Sequence, residues 1–169
     1  MCSASGSRTP AQTDRGPFSV GVISDTHGLL RPEALDALQG SHAIIHAGDV
    51  GEEEILDQLK AIAPVTAVRG NVDRGDLARK LPATAILELG GTRIWVLHNL
   101  ADLDLDPSAA EIGVVVSGHT HAPMIREEKG VLYLNPGSAG PRRFHLPVAV
   151  ARLTLGSGSP QATIVQLGV

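Results

Sequence analysis

The chain has 169 residues, 43% of them hydrophobic and 19% charged, with a net charge of -4. That length supports one core without covalent staples, and the single cysteine, Cys2, excludes a disulfide framework and a thiolate metal cluster. No apolar run approaches the roughly 20 residues of a membrane span, and an acidic chain with only 2% aromatics lacks the basic surface and stacking rings of a nucleic-acid binder.

Residues 1–17 are small and polar and carry no apolar period, which predicts a disordered tail ahead of a single domain over 18–169. They also lack the charged start and apolar stretch of a signal peptide, so a cytoplasmic setting is expected. FSVGVIS (18–24) reads as a buried strand emptying into the loop DTHG. After Pro32, EALDALQG reads as a short helix: proline sits in its first turn, Leu35 and Leu38 share a face, and Gly40 stops it. HAIIHAG (42–48) is a second strand, ending at GDVG. EEEILDQLKAIA (52–63) is a helix with acids at its positive end and Ile55, Leu59 and Ile62 facing inward. VTAVRG (65–70) is a third strand, ending at NVDRG. Strand, loop and helix in alternation predict a parallel sheet covered by helices.

The second half changes character. ATAILELGGTRIWVLH (83–98) reads as two strands joined at Gly90-Gly91. NLADLDLDPSAAE (99–111) reads as a loop with at most one helical turn. IGVVVSG (112–118), APMIREEKGVLYLN (122–135), PVAVARLTL (147–155) and QATIVQLGV (161–169) read as further strands. The expected architecture is two packed β-sheets with a few helices outside, α/β in its first half.

Where Asp, His and Asn fall is the informative feature. Nearly every expected core strand ends in one or two of them: Asp25 and His27, Asp49, Asn71, His98, then His119 and His121. Ligands of α/β sheets bind beyond the carboxyl ends of strands. In an extended segment, residues two apart project to one side, so Asp-x-His and His-x-His each offer two donors to one small volume. Gly28, Gly48, Gly70 and Gly118 flank these positions and permit tight turns and close approach. A lone Asp-x-His or Gly-Asp is more often a capped turn, and a lone histidine is more often structural. The ordered set carries the weight. Its donors outnumber the ligands of one tetrahedral ion and fit two divalent ions with a shared carboxylate. Imidazole and carboxylate suit Mn, Fe, Zn, Ni or Co alike, with manganese the first expectation.

Taken in order, DTH (25–27), GD (48–49), GNVD (70–73), His98, GHTH (118–121) and NPGS (135–138) make the chain resemble the calcineurin-like metallophosphoesterase superfamily, and within it the small YfcE-type phosphodiesterases. The resemblance implies a four-layer αββα sandwich of two mixed β-sheets flanked by helices, with a two-metal site at one edge. It implies that Asp25, His27 and His121 hold one metal, that Asn71, His98 and His119 hold the other, and that Asp49 bridges them and holds a metal-bridging water. The expected reaction is hydrolysis of a small phosphodiester by that water as hydroxide, with no covalent intermediate. The chain departs from the family at Val72, where large members carry a histidine that protonates the leaving group. It departs again at His98-Asn99-Leu100, where His-Gly-His is common.

Four further residues are candidates around the metals. Asp73 could orient a ligand histidine or cap a turn. Asn135 and Ser138 belong to the NPGS turn, and Arg142, beside Arg143, could offer its planar fork to a phosphate. His46 reads as structural, and His42 and His145 carry no assignment. The rival function is a non-catalytic scaffold like the retromer-subunit branch of the same fold. A DNA-processing nuclease is disfavoured by size and charge. Neither a membrane nor nucleic acid is an expected partner, and homo-oligomerisation stays open.

Overall fold

Ten strands build two five-stranded sheets in the computed structural model, which describes residues 16–156 and 158–169. The expected tail over 1–17 lies outside the described residues except for Gly16 and Pro17. In chain order the elements are β1 (Phe18–Ile23), α1 (Pro32–Leu38), β2 (Ala43–His46), α2 (Glu53–Lys60), β3 (Val65–Ala67), α3 (Gly75–Lys80), β4 (Thr84–Leu89) and β5 (Thr92–Leu97). A 3-10 turn, Leu100–Asp102, then leads to β6 (Val114–Val116), β7 (Met124–Glu128), β8 (Val131–Asn135), β9 (Ala149–Leu155) and β10 (Gln161–Gln166).

The first sheet runs β10-β9-β1-β2-β3 and the second β4-β5-β6-β8-β7. Each contains a parallel triplet, β1-β2-β3 in one and β5-β6-β8 in the other, with antiparallel neighbours beside it. This arrangement gives each sheet three strands whose carboxyl ends share an edge. Loops carrying polar residues can gather there.

Aliphatic alternation sets the layers. Val20, Val22 and Ile45 on the first sheet meet Ile94, Val96, Val114, Val116 and Leu134 on the second, all at 0% exposure. Each such side chain contributes about 1.5–3 kcal/mol. The opposite face of the first sheet, with Ile23, Ile44 and Val150, receives Ala34 and Leu38 from α1 and Ile55, Leu56 and Leu59 from α2. On the outer face of the second sheet, Trp95, Leu97, Val115 and Tyr133 are covered by Leu100, Leu103 and Ile112. That fourth layer is one 3-10 turn and an irregular segment.

Several expected strands are shorter than their apolar runs. β2 stops at His46, β3 at Ala67 and β6 at Val116, because the residues that follow leave the ladder to build the strand-end loops. The expected hairpin at Gly90-Gly91 forms, with both residues at positive φ (53° and 76°), as a type I′ turn requires. The segment 122–135 is two strands, folded back at Lys129-Gly130. α3 was not anticipated: GDLARK buries only Leu77, too little to show a helical period. No helix among the described residues is long and apolar enough to cross a membrane.

Candidate metal centre

All seven strand-end donors come together at one edge. Asp25 and His27 follow β1, Asp49 follows β2, Asn71 follows β3, His98 follows β5, and His119 and His121 follow β6. The local geometry differs from the extended segment that spacing predicts. Asp25 (φ 54°), His27 (47°), Asp49 (53°), His119 (70°) and His121 (61°) all adopt left-handed backbone. Each such conformation costs on the order of 1–3 kcal/mol and persists only when its surroundings impose it. Here the imposition is visible. Asp25 N–H donates to Gly48 C=O (3.0 Å), His27 N–H to Asp49 C=O (2.9 Å), and Ser138 Oγ to Asp25 C=O (2.9 Å). As a result His119 and His121 diverge into two clusters rather than sharing one.

The two carboxylates are held alike. Asp25 Oδ2 accepts from Ser24 Oγ (2.6 Å) and from the His119 N–H (3.1 Å), while Oδ1 faces three imidazoles: His121 Nε2 at 3.2 Å, His27 Nε2 at 3.7 Å and His98 Nε2 at 3.9 Å. Asp49 Oδ1 accepts from the Val72 N–H (2.9 Å), while Oδ2 faces His98 Nε2 at 3.2 Å and His27 Nε2 at 3.8 Å. Each aspartate thus ties one oxygen to the protein and turns the other toward the histidines. Asn71 Oδ1 completes the arrangement, 3.1 Å from both His98 Nε2 and His119 Nδ1.

These donors fit bound cations. Asp25 Oδ1 is fully buried yet makes no aligned hydrogen bond, the costly condition for a carboxylate oxygen unless a cation meets it. His98 Nδ1 lies 2.7 Å from the Ala47 carbonyl, which accepts its proton. In the neutral ring that leaves Nε2 as a lone pair aimed at Asp49 Oδ2 and Asn71 Oδ1, a repulsive contact that an ion between them would relieve. His27 Nε2 and His121 Nε2 stand 3.2 Å apart, as donors do around one ion bound at roughly 2.1 Å. Asp25, His27 and His121 form one group of mutually close donors, and Asp25, Asp49 and His98 form another.

Electrostatics follow the geometry. Burial pushes the Asp25 carboxyl up, but His121, His27, Ser24 and the field of His98 outweigh it and hold the group well below the carboxylate range. Burial likewise opposes Asp49, and contact with His98 and the Val72 N–H brings it below its ordinary value. Burial alone would lower His98; Asp49, the Ala47 carbonyl and the charge of Asp25 raise it above 6.5.

The residues expected around the donors make contacts of their own, and for Asp73 the turn-capping alternative is the one seen. Asp73 meets no ligand histidine. Its Oδ1 accepts from the Gly51 N–H (2.9 Å) and its Oδ2 from the Gly70 N–H (2.8 Å), so it staples the Asp49 and Asn71 loops together. Asn135 Nδ2 donates to Gly118 C=O (2.8 Å) and Thr120 Oγ1 (3.1 Å), fixing the His119–His121 turn from below. Ser138, 4% exposed, is spent on the Asp25 backbone. Arg142 donates to the Val169 carbonyl. Leu100 packs into the outer cluster with Trp95 and Leu97 instead of facing the histidines.

Residues beyond the donors hold this frame together, and Ser24 among them belongs to no motif. Ser24 binds Asp25. Gly118 and Gly70 allow the strand-end loops to touch, since a Cβ would come within 2.0 Å of Ser24 Oγ at Gly118 and 1.9 Å of Asp49 Oδ1 at Gly70. His46, fully buried, accepts from the Gly48 N–H at Nδ1 (3.2 Å), which leaves Nε2–H to donate to Thr26 Oγ1 (2.9 Å). Thr26 Oγ1 passes its own proton to Val50 C=O (2.8 Å). This chain ties the loop bearing Asp25 and His27 to the loop bearing Asp49.

Residues 18–158 match the family model of the calcineurin-like phosphoesterase superfamily domain. A probable metallophosphoesterase of Methanocaldococcus jannaschii is 41% identical over 136 residues, covering 73% of this chain and 69% of that protein. The fold also matches a solved archaeal phosphodiesterase (TM-score 0.72, 20% identity, 87% of this chain and 99% of that one). It matches vacuolar protein sorting 29 of Cryptosporidium parvum as well (TM-score 0.71, 20% identity, 89% and 97%). With that domain match and that relative, the chain belongs to the calcineurin-like phosphoesterase superfamily.

Proposed function

We propose that the protein is a cytoplasmic phosphodiesterase that works with two divalent ions, manganese foremost, on a small phosphate diester. Asp25, His27 and His121 would hold one ion and Asn71, His98 and His119 the other, with Asp49 between them. The observation that carries this reading is the position of Asp49 Oδ2, facing His27 of one cluster and His98 of the other. Two bound ions supply activation of water as a nucleophile and neutralisation of charge on the phosphoryl oxygens.

The chain's own residues supply the frame. Ser24 and the His119 N–H keep Asp25 Oδ2 occupied, and the Val72 N–H does the same for Asp49 Oδ1, so each carboxylate presents one oxygen in a set direction. Val72 is 43% exposed and its side chain has no acidic proton to give. Leaving-group protonation therefore falls to solvent, and diesters with acidic leaving groups react best.

The test is hydrolysis of bis(p-nitrophenyl) phosphate as manganese is titrated into chelator-treated protein, with Asp49→Ala alongside. Turnover that rises with metal and disappears in the variant is the expected result; turnover that survives chelation overturns it. Likeness to vacuolar protein sorting 29 favours a second reading, a non-catalytic scaffold. A protein that binds metal yet hydrolyses no ester in this assay would support that alternative.

A further inference from the structure

Beside the second donor cluster lies a pocket of about 360 Å³ whose inner end is formed by Asn71, His98 and His119. Asp25 and His27 are not among its lining residues, which include Thr84 at the start of β4 and Asp102 in the 3-10 turn. Its wall is apolar: Ala83, Trp95 and Leu97 contribute side chains. The Trp95 indole N–H donates to Thr84 Oγ1 (2.5 Å), and Thr84 Oγ1 donates to Val96 C=O (2.9 Å), so the ring is locked in place. Arg69 stands at the rim, held by a bond to Leu81 C=O (3.2 Å), together with the exposed acids Asp102 and Asp104.

We propose that this pocket receives a nucleoside as one esterifying group of the substrate, with the base against the Trp95 wall and its hydroxyl or amino donors on Asp102 and Asp104. The proposal rests on the phosphodiester reading above and specifies its substrate class. The volume lies at the lower end of small-molecule sites, where a mainly apolar lining binds a flat body and a few polar groups orient it. The rim sets the charge preference. Two carboxylates against one guanidinium repel a second phosphate but accept hydrogen bonds from neutral donors. A substrate with one phosphate, reaching the ions at the inner end and a ring along the wall, satisfies both parts. A polyphosphate chain satisfies neither.

Trp95 is the only tryptophan of the chain, so its emission reports occupancy without any turnover. Adenosine titrated into the full-length protein, with and without manganese, is expected to change that emission saturably. Ala83→Phe, which fills an exposed part of the wall, should abolish the change. Asp104→Asn should weaken adenosine by about tenfold, the loss of one hydrogen bond to a charged acceptor. In turnover, the preference for thymidine 5′-(p-nitrophenyl phosphate) over methyl p-nitrophenyl phosphate should fall at least tenfold in Ala83→Phe, on the order of 1.4 kcal/mol. Unchanged Trp95 emission with adenosine, or an unchanged preference in Ala83→Phe, overturns the pocket assignment. Loss of all hydrolysis with adenosine binding intact would instead count against the phosphodiesterase reading.

Discussion

His98 Nε2 stands 3.2 Å from Asp49 Oδ2 while its Nδ1 contacts the Ala47 carbonyl at 2.7 Å. The ring is thereby fixed from behind, and its free nitrogen points into the cluster. Without a metal the contact is best satisfied by an imidazolium, which is why His98 titrates above 6.5. With a metal the same nitrogen must be neutral. Proton and ion compete for one lone pair.

That competition predicts how metal stabilises the protein. In the metal-free chain, His98 has a folded pKa raised above its unfolded value, so its contribution is complete below 6.5 and is lost as pH rises through the folded value. Metal affinity changes in the opposite sense. The increase in Tm on adding manganese should therefore grow from about pH 5.5 to about pH 8. At a hundredfold excess over Kd it should reach about 5–10 °C for a chain of this size. Calorimetry with and without the ion measures it. A shift of equal size at both pH values would remove the histidines from the ligand set.

Ser24 gives a test of the carboxylate frame. Its hydroxyl donates to Asp25 Oδ2 at 2.6 Å and touches no donor aimed at an ion. Ser24→Ala should fold and keep every proposed ligand, yet release Asp25 from its set direction. Loss of such a supporting contact lowers metal affinity about 10–100-fold. Isothermal titration with manganese reads it directly, and an unchanged affinity would show that the Ser24 bond is merely local.

Why the clustered donors were legible and much of their frame was not follows from what a linear pattern records. Asp25, Asp49, Asn71 and His98 each close an aliphatic run that alternation identifies as a strand, so their common edge follows from parallel pairing. The left-handed turns at Asp25, His27, Asp49, His119 and His121 leave no such mark, because aspartate and histidine tolerate that region without a glycine. Spacing put His119 and His121 together for the wrong geometric reason, and the turn sends them to separate clusters. Asn135 acts through contacts made across the fold, and Ser24 through a bond to its own neighbour Asp25 that no motif marks. His46 reads as structural from its place in the second strand, but the hydrogen-bond chain it anchors shows only in the fold. α3 escaped notice for the opposite reason, since a helix with one buried residue has no period.

The same buried His46 makes stability depend on pH in a second window. Burial outweighs the pull of Asp25 and Asp73 and lowers its pKa from 6.5 to about 4. A depressed folded value means that, between these limits, the unfolded chain binds a proton the native chain does not. The contribution of His46 is thus complete above 6.5 and falls as pH drops toward 4, by about 1.4 kcal/mol per pH unit. His46→Gln should be less stable at neutral pH, having lost the chain from Gly48 to Val50, but its unfolding free energy should fall less steeply over this window, by about one proton. Urea midpoints of metal-free protein at several pH values measure the slope. Equal slopes in the two proteins would mean that His46 is protonated in the native state.

Val72 bears on proton delivery. Its N–H holds Asp49, next to the donor Asn71, and the residue is 43% exposed. A histidine there keeps the backbone bond and adds an imidazole within reach of a departing oxygen. A positioned general acid is worth about 10²–10⁴-fold where the leaving group needs a proton, and little where the leaving group departs as a stable anion. Val72→His should therefore raise kcat on an alkyl diester by at least about tenfold, leave a p-nitrophenyl ester nearly unchanged, and introduce a limb of falling rate at high pH on the alkyl ester alone. Equal gains on both esters would point to altered metal binding instead, and no gain on either would place the departing oxygen away from Val72.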